Sequence, residues 1–177
     1  RPVDLYSYWG WRLLAERVAQ MLPRAVLVLI VALVVLPAVG LAEWRLPAPA
    51  GATASAMFAL SALLSLFLGV AISMVTMLLM FWTVSTDGAC LLLPPVVWFL
   101  GGLVIPLPLL ADPVRAVVEL LPFAGVQDVP FRIYAGHIAG TDAVASVVRQ
   151  AAWIVALVGL GRLLLRRGLR RVVVHGG

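Results

Sequence analysis

The chain has 177 residues, 63% of them hydrophobic and 12% charged, with a mean hydropathy of +1.09. A soluble domain of that size cannot hide so much apolar surface in one core, so a water-soluble fold is excluded and an all-α integral membrane protein is expected. The net charge of +5 rests on arginine alone, since there is no lysine. Four of the arginines, Arg166, Arg167, Arg170 and Arg171, stand just beyond the last apolar run, where a membrane protein keeps cytoplasmic positive charge. That explains the basic balance without nucleic acid and adds anionic lipid headgroups as partners.

Residues 1–23 are amphipathic. Trp11, Leu14, Val18, Met21 and Leu22 fall at helical spacing on one side, and Arg12, Glu16, Arg17 and Gln20 on the other. Tyr6, Tyr8, Trp9 and Trp11 suit the headgroup boundary. An interfacial helix leading into the first span is predicted, serving either as a water-facing cap or as a docking element for a cytoplasmic partner.

Four charge-poor apolar runs follow, at 24–42, 52–86, 90–111 and 150–165. Each approaches or exceeds the ~20 residues that match a ~30 Å hydrocarbon core, so four transmembrane helices are predicted. Glu43, Trp44 and Arg45 mark the exit of the first, and Pro47 and Pro49 make the next loop short and extended. The second run would reach roughly 50 Å as one helix and is expected to tilt, to kink near Gly69 or to project past the bilayer. Along it Ser61, Ser65, Gly69 and Ser73 recur every four residues, a stripe that lets another backbone approach closely. The stripe serves either helix packing or a translocation path.

Asp87-Gly88 signals a turn before the third run. That run is interrupted by Pro94, Pro95, Gly101-Gly102, Pro106 and Pro108, and is expected to be broken. Asp112-Pro113 reads as an N-cap followed by proline at the first helical position, opening a short helix that ends at Leu121 before Pro122. Residues 112–149 form the long polar connection, with a second short turn over Phe131–His137 and the last helix starting near Asp142.

Arginine asymmetry orients the bundle. With both chain ends inside, nine arginines lie inside and four (Arg45, Arg115, Arg132 and Arg149) outside, in the sense that the positive-inside rule favours. The connection 112–149 is then external and the basic tail 166–177 cytoplasmic.

The missing chemistry narrows the function. Without lysine there is no Walker A loop and no Schiff base. No HExxH or GxSxG motif occurs, and no charge sits mid-span to relay ions. Cys90 is the single cysteine, so neither an intramolecular disulfide nor a thiolate metal cluster can form. His137 and His175 fall on opposite faces, which leaves no readable metal site. Asp128 and His137 could pair as acid and base, but no nucleophile or oxyanion site accompanies them. No catalytic residue and no cofactor is expected. If the chain transports, a partner must supply the energy.

Several ordered motifs resemble the ABC-2 type permeases, in the branch called ABC-2 family transporter protein. These are Arg1-Pro2-Val3, Gly101-Gly102-Leu103-Val104-Ile105-Pro106-Leu107, Leu121-Pro122-Phe123, Pro130 to Gly136, Gln150-Ala151-Ala152-Trp153, Gly161-Arg162 and the tail from Arg170 to Gly177. His175 stands where the family more often has Gln.

The resemblance implies a six-span permease of which this chain is the C-terminal two-thirds, lacking the first two spans. It implies a bacterial cytoplasmic membrane location, a cytoplasmic ABC ATPase subunit as partner, and a second permease subunit completing a dimer. The segment holding Asp4, Arg12, Glu16 and Arg17, all taken as exposed, would couple to the ATPase. The motif Gly101, Gly102, Pro106, Pro122 and Phe123 would form short external re-entrant helices. A non-transporting membrane scaffold that uses the small-residue stripe to hold partner helices is the alternative.

Overall fold

The computed structural model describes residues 4–44, 46–49, 51–79 and 95–170. The predicted Asp87-Gly88 turn, Cys90, Pro94, His175 and most of the basic tail lie outside them. Among the described residues the chain is helical with no strand, and three helices are long and apolar enough to cross a membrane. These are α1 (Leu5–Ala38), α2 (Ala52–Leu79) and the last helix, Gly140–Leu169.

Helix α1 departs from expectation. The amphipathic segment and the first span are one helix, not an interfacial helix followed by a span. It opens on Asp4, whose carboxylate accepts from the Tyr6 N–H at 3.3 Å and the Ser7 hydroxyl at 2.6 Å. It runs through Pro23 without a break in the helical assignment. Falling polarity marks a bilayer boundary but does not end a helix, because backbone groups still need intrahelical partners in lipid. The helix widens to a π-turn over Val31–Val35, where the Leu36 N–H reaches the Val31 carbonyl, just ahead of Pro37, which has no N–H to give. Gly40, at φ +84°, then turns the chain away.

The packed face of α1 also differs. Tyr6, Leu13 and Leu14 face the bundle, whereas Trp11, Met21 and Leu22 point outward. No residue in the apolar window of α1 is buried.

Helix α2 passes through Gly69 uninterrupted and pairs with the last helix as the centre of the bundle. Among the described residues the third apolar run contributes no helix long enough to span, its first residues lying outside them. Residues 95–100 are helical, and the regular structure stops at Gly101-Gly102. Gly102 has φ +81°, and a Cβ on Gly101 would lie 2.6 Å from the Val97 carbonyl oxygen. A 3₁₀ turn Leu107–Leu109 leads to α3 (Asp112–Leu120), a 3₁₀ turn Ala124–Val126, α4 (Asp128–Tyr134) and α5 (Gly140–Leu169). The N-cap of α3 is Ala111 rather than Asp112, which sits inside the first turn with Pro113. Helix α4 begins three residues before the predicted turn at Phe131, and α5 two before Asp142.

Three apolar clusters hold this arrangement. Tyr6, Val70, Met74 and Leu78 join α1 to α2 near one end. Val129, Ile133 and Ala143 pack with Met57 and Phe58 at the other, where the Phe58 and Tyr134 rings meet edge-on at 5.1 Å. Leu107, Val118 and Ala124 close the irregular region on itself. Within lipid, burial against hydrocarbon gives little drive, so close approach and hydrogen bonds must fix the remaining contacts.

Candidate functional site

The small-residue stripe of α2 collects most of the polar chemistry. Ser61 is fully buried, and its hydroxyl donates to Gln150 Oε1 of α5 at 2.9 Å. Gln150, 2% exposed, gives its Nε2 hydrogens to the Gly125 carbonyl at 2.7 Å, with the Ser61 carbonyl and the Ser65 hydroxyl each at 3.3 Å. The Ser65 hydroxyl lies 2.9 Å from the same Gly125 carbonyl. A Cβ on Gly125 would come within 2.9 Å of Leu68 Cδ2 and 3.1 Å of Gln150 Cγ, so only glycine lets this backbone in so far. The adjoining cavity, lined by Leu68, Gly125, Gln150 and Trp153 among others, measures about 10 Å³. That is room for one water at most, and the seam is closed.

Further along the stripe, Gly69 and Ser73 receive Arg17 from α1. Arg17 Nη2 donates to Ser73 Oγ at 2.6 Å, and Nη1 lies 2.9 Å from where a Gly69 Cβ would stand. Arg17 is therefore half-buried against α2 and not the exposed charge that its sequence pattern predicted. Close by, the Tyr6 ring covers Gly161 of α5, whose Cβ would fall 2.7 Å from the Tyr6 hydroxyl. Arg162 lies over the Tyr6 ring at 5.7 Å.

Of the remaining coupling candidates, Asp4 caps α1. Arg12 and Glu16 pair with each other at 3.0 Å, each half exposed, and Arg12 lies over the Trp9 ring at 5.1 Å. Asp4, Ser7, Tyr8, Trp11 and Arg12 line an open groove at this end.

The re-entrant motif is brought together in part. A Cβ on Gly101 would lie 3.2 Å from the Phe123 carbonyl oxygen, and one on Gly102 would lie 3.4 Å from Asp128 Cβ. Pro122 is buried, while Pro106 is exposed and caps the first 3₁₀ turn. An ion network ties the segment down: Arg115 to Glu119 at 2.9 Å, Arg132 to Glu119 at 2.8 Å, and Arg132 to Asp128 at 3.2 Å. Asp128 thus partners Arg132 and not His137, which is exposed. Burial pushes the Asp128 carboxyl up, and Arg132 offsets only part of that. Burial also acts to raise Glu119, but the hydrogen bonds from Arg115 and Arg132 win and hold it below its ordinary value.

The family model of the ABC-2 family transporter protein matches the chain over residues 9–176. The chain belongs to that family. No curated protein and no solved structure matches it. An ABC-2 family protein is a membrane component of a transporter and not itself an enzyme, and the three apolar helices make this one a multi-pass membrane protein.

The sequence placed Gln150 in a family motif without giving it a role, and it did not single out the Arg17–Ser73 pair. Gln150 carried a detectable signal as an uncharged polar residue opening an apolar run. The Arg17–Ser73 bond joins residues 56 apart, and no local pattern reports it.

Proposed function

We propose that this protein is the permease subunit of an ATP-driven ABC-2 exporter in the bacterial cytoplasmic membrane. Its energy comes from a separate cytoplasmic ATPase subunit, and it works as a pair with a second permease subunit. The chain crosses four times, the third crossing ending at the Gly101-Gly102 break. Both ends are cytoplasmic, in line with the arginine asymmetry. Residues 101–139 then form the external re-entrant region. The exposed apolar window of α1 supports contact with lipid or with the second subunit.

One observation carries the coupling role. The charged, aromatic first turns of α1 are continuous with a helix long enough to span, and they present an open groove lined by Asp4, Ser7, Tyr8, Trp11 and Arg12. A force applied there enters a spanning helix without crossing a loop. Asp4 also caps the helix and Arg17 also anchors it, so Arg12 and Glu16 are the residues that can meet the ATPase without another duty. The test exchanges them, Arg12→Glu with Glu16→Arg. The exchange keeps an i,i+4 pair, worth about 0.3–0.5 kcal/mol, while reversing the surface. ATPase recovery in a pull-down with the full-length permease in neutral detergent should fall, because like charges across an interface cost several kcal/mol. Unchanged recovery would refute the coupling role.

A further inference from the structure

The polar seam is built so that one of its members can leave. Gln150 Nε2 and Ser65 Oγ both lie within bonding distance of the Gly125 carbonyl, at 2.7 and 2.9 Å. Each also has a second acceptor inside the α2–α5 pair. Ser65 Oγ lies 2.8 Å from the Ser61 carbonyl, and Gln150 Nε2 lies 3.3 Å from that carbonyl and from Ser65 Oγ. The Ser61 hydroxyl keeps Gln150 Oε1 in either case. Withdrawing Gly125 therefore leaves no buried donor of Gln150, Ser61 or Ser65 without a partner, and it is orphaned donors that make such a separation expensive.

Of the polar groups in the seam only the Gly125 carbonyl changes surroundings, and outside the seam it meets water. Gly125 contributes no side chain, so the apolar cost of lifting the segment falls on what it covers, chiefly the fully buried Leu68.

We propose that Gln150 is a latch residue. Its carboxamide holds the segment 121–127 closed against the α2–α5 pair, and releasing the Gly125 carbonyl lets that segment lift away while the helix pair stays packed. Gln150 is a positioning residue, acting through Gly125. Calling the released side the outer mouth rests on the permease reading above, whereas the latch itself does not.

The test uses the full chain in lipid nanodiscs with Cys90→Ser as background. One reporter is Ala124→Cys, 1% exposed, on the segment that lifts and packed there with Leu107 and Val118. The other is Met74→Cys, 4% exposed in the cluster with Tyr6, Val70 and Leu78. Both are labelled with a water-soluble maleimide. Two changes open the latch by different means. Gln150→Leu removes the carboxamide at similar size, and Gly125→Ala keeps Gln150 but puts a methyl where Leu68 and Gln150 stand.

Either change should speed labelling at Ala124→Cys by about tenfold, the loss expected for one or two buried hydrogen bonds. Labelling at Met74→Cys should be unchanged. Acceleration at both reporters would mean that Gln150 merely holds the fold, and would overturn the latch, as would acceleration at neither or by only one of the two changes. Sidedness is read separately in sealed vesicles. Reaction of the unlatched Ala124→Cys reporter only from the cytoplasmic face would sink the topology of the permease reading and leave the latch standing.

Discussion

Arg17 and Ser73 lie 56 positions apart and are joined by a 2.6 Å hydrogen bond, guanidinium to hydroxyl, across the face of Gly69. The bond fixes where α1 crosses α2 and turns a charge from a surface feature into an anchor.

Two glycines beneath α1 should respond differently to a methyl group. At Gly69 the new Cβ meets the tip of the Arg17 side chain, which can yield slightly at Nη1 while Nη2 keeps its bond to Ser73, so Gly69→Ala should cost less than about 1 kcal/mol. At Gly161 it meets the Tyr6 ring at 2.7–3.1 Å, and that ring is buried, so Gly161→Ala should cost about 1–3 kcal/mol by overpacking. Thermal unfolding of the two variants in one detergent checks the ranking, and equal losses would contradict it.

Replacing Arg17 by methionine keeps the length of the side chain and removes the bond to Ser73. Hydrogen bonds to charged groups contribute about 1.5–3 kcal/mol, so the loss should fall near the lower end for a half-buried group. Ser73→Ala should cost a similar amount, and the double variant little more than either alone, because the two changes remove one interaction. Fully additive losses in a double-mutant cycle would show that the pair does not interact.

The ion network of Arg115, Glu119, Arg132 and Asp128 makes a pH prediction with a definite sign. Glu119 is held below its ordinary value, because the bonds from Arg115 and Arg132 outweigh the opposing effect of burial. Its contribution is present above the unfolded carboxylate value of about 4.3 and is lost as pH falls through the lower folded value. Glu119→Gln should therefore destabilise near pH 7, and the gap to the parent should close in acid. Asp128 carries the opposite sign: burial raises it, so its favourable contribution is present below about 3.9 and fades as pH rises through the folded value. Asp128→Asn should gain on the parent as pH rises across that window. Melting curves from pH 3.5 to 7.5 check both trends.

Topology is testable with the same reagent chemistry. In a Cys90→Ser background, cysteine introduced at Ala139 should react with an impermeant thiol reagent in intact cells, and cysteine introduced at Gly176 should not. The reverse pattern would invert the arrangement.

Much of the architecture was legible because it follows from composition along the chain. The apolar runs placed α1, α2 and α5, and the proline and glycine cluster from Pro94 to Pro113 placed the break that is seen at Gly101-Gly102. The failures share one cause. Hydropathy separates the first 23 residues from the span after them, but the helix continues through Pro23 because hydrogen bonding, not polarity, decides where a helix stops. Trp11, Leu14, Val18, Met21 and Leu22 formed the apolar stripe, yet of these only Leu14 joins the packed cluster, beside Tyr6 and Leu13 and with Arg17 bonded to α2. The partner surface of glycine and serine selects for fit and hydrogen bonding there rather than for apolarity. Gln150 organises the seam through partners 25 and 89 positions away, and such contacts leave no periodic trace.

The unbroken course of α1 has a mechanical consequence. Tyr6 packs against Gly161 of α5 and against Val70, Met74 and Leu78 of α2, and Arg17 bears on α2 again, so two contacts about 16 Å apart, at 1.5 Å per residue, clamp the first turns of the rod. The stretch from Arg17 to Ala38, about 32 Å, extends beyond that clamp as a cantilever. The π-turn over Val31–Val35 sits near the tip, where such a rod can bend last.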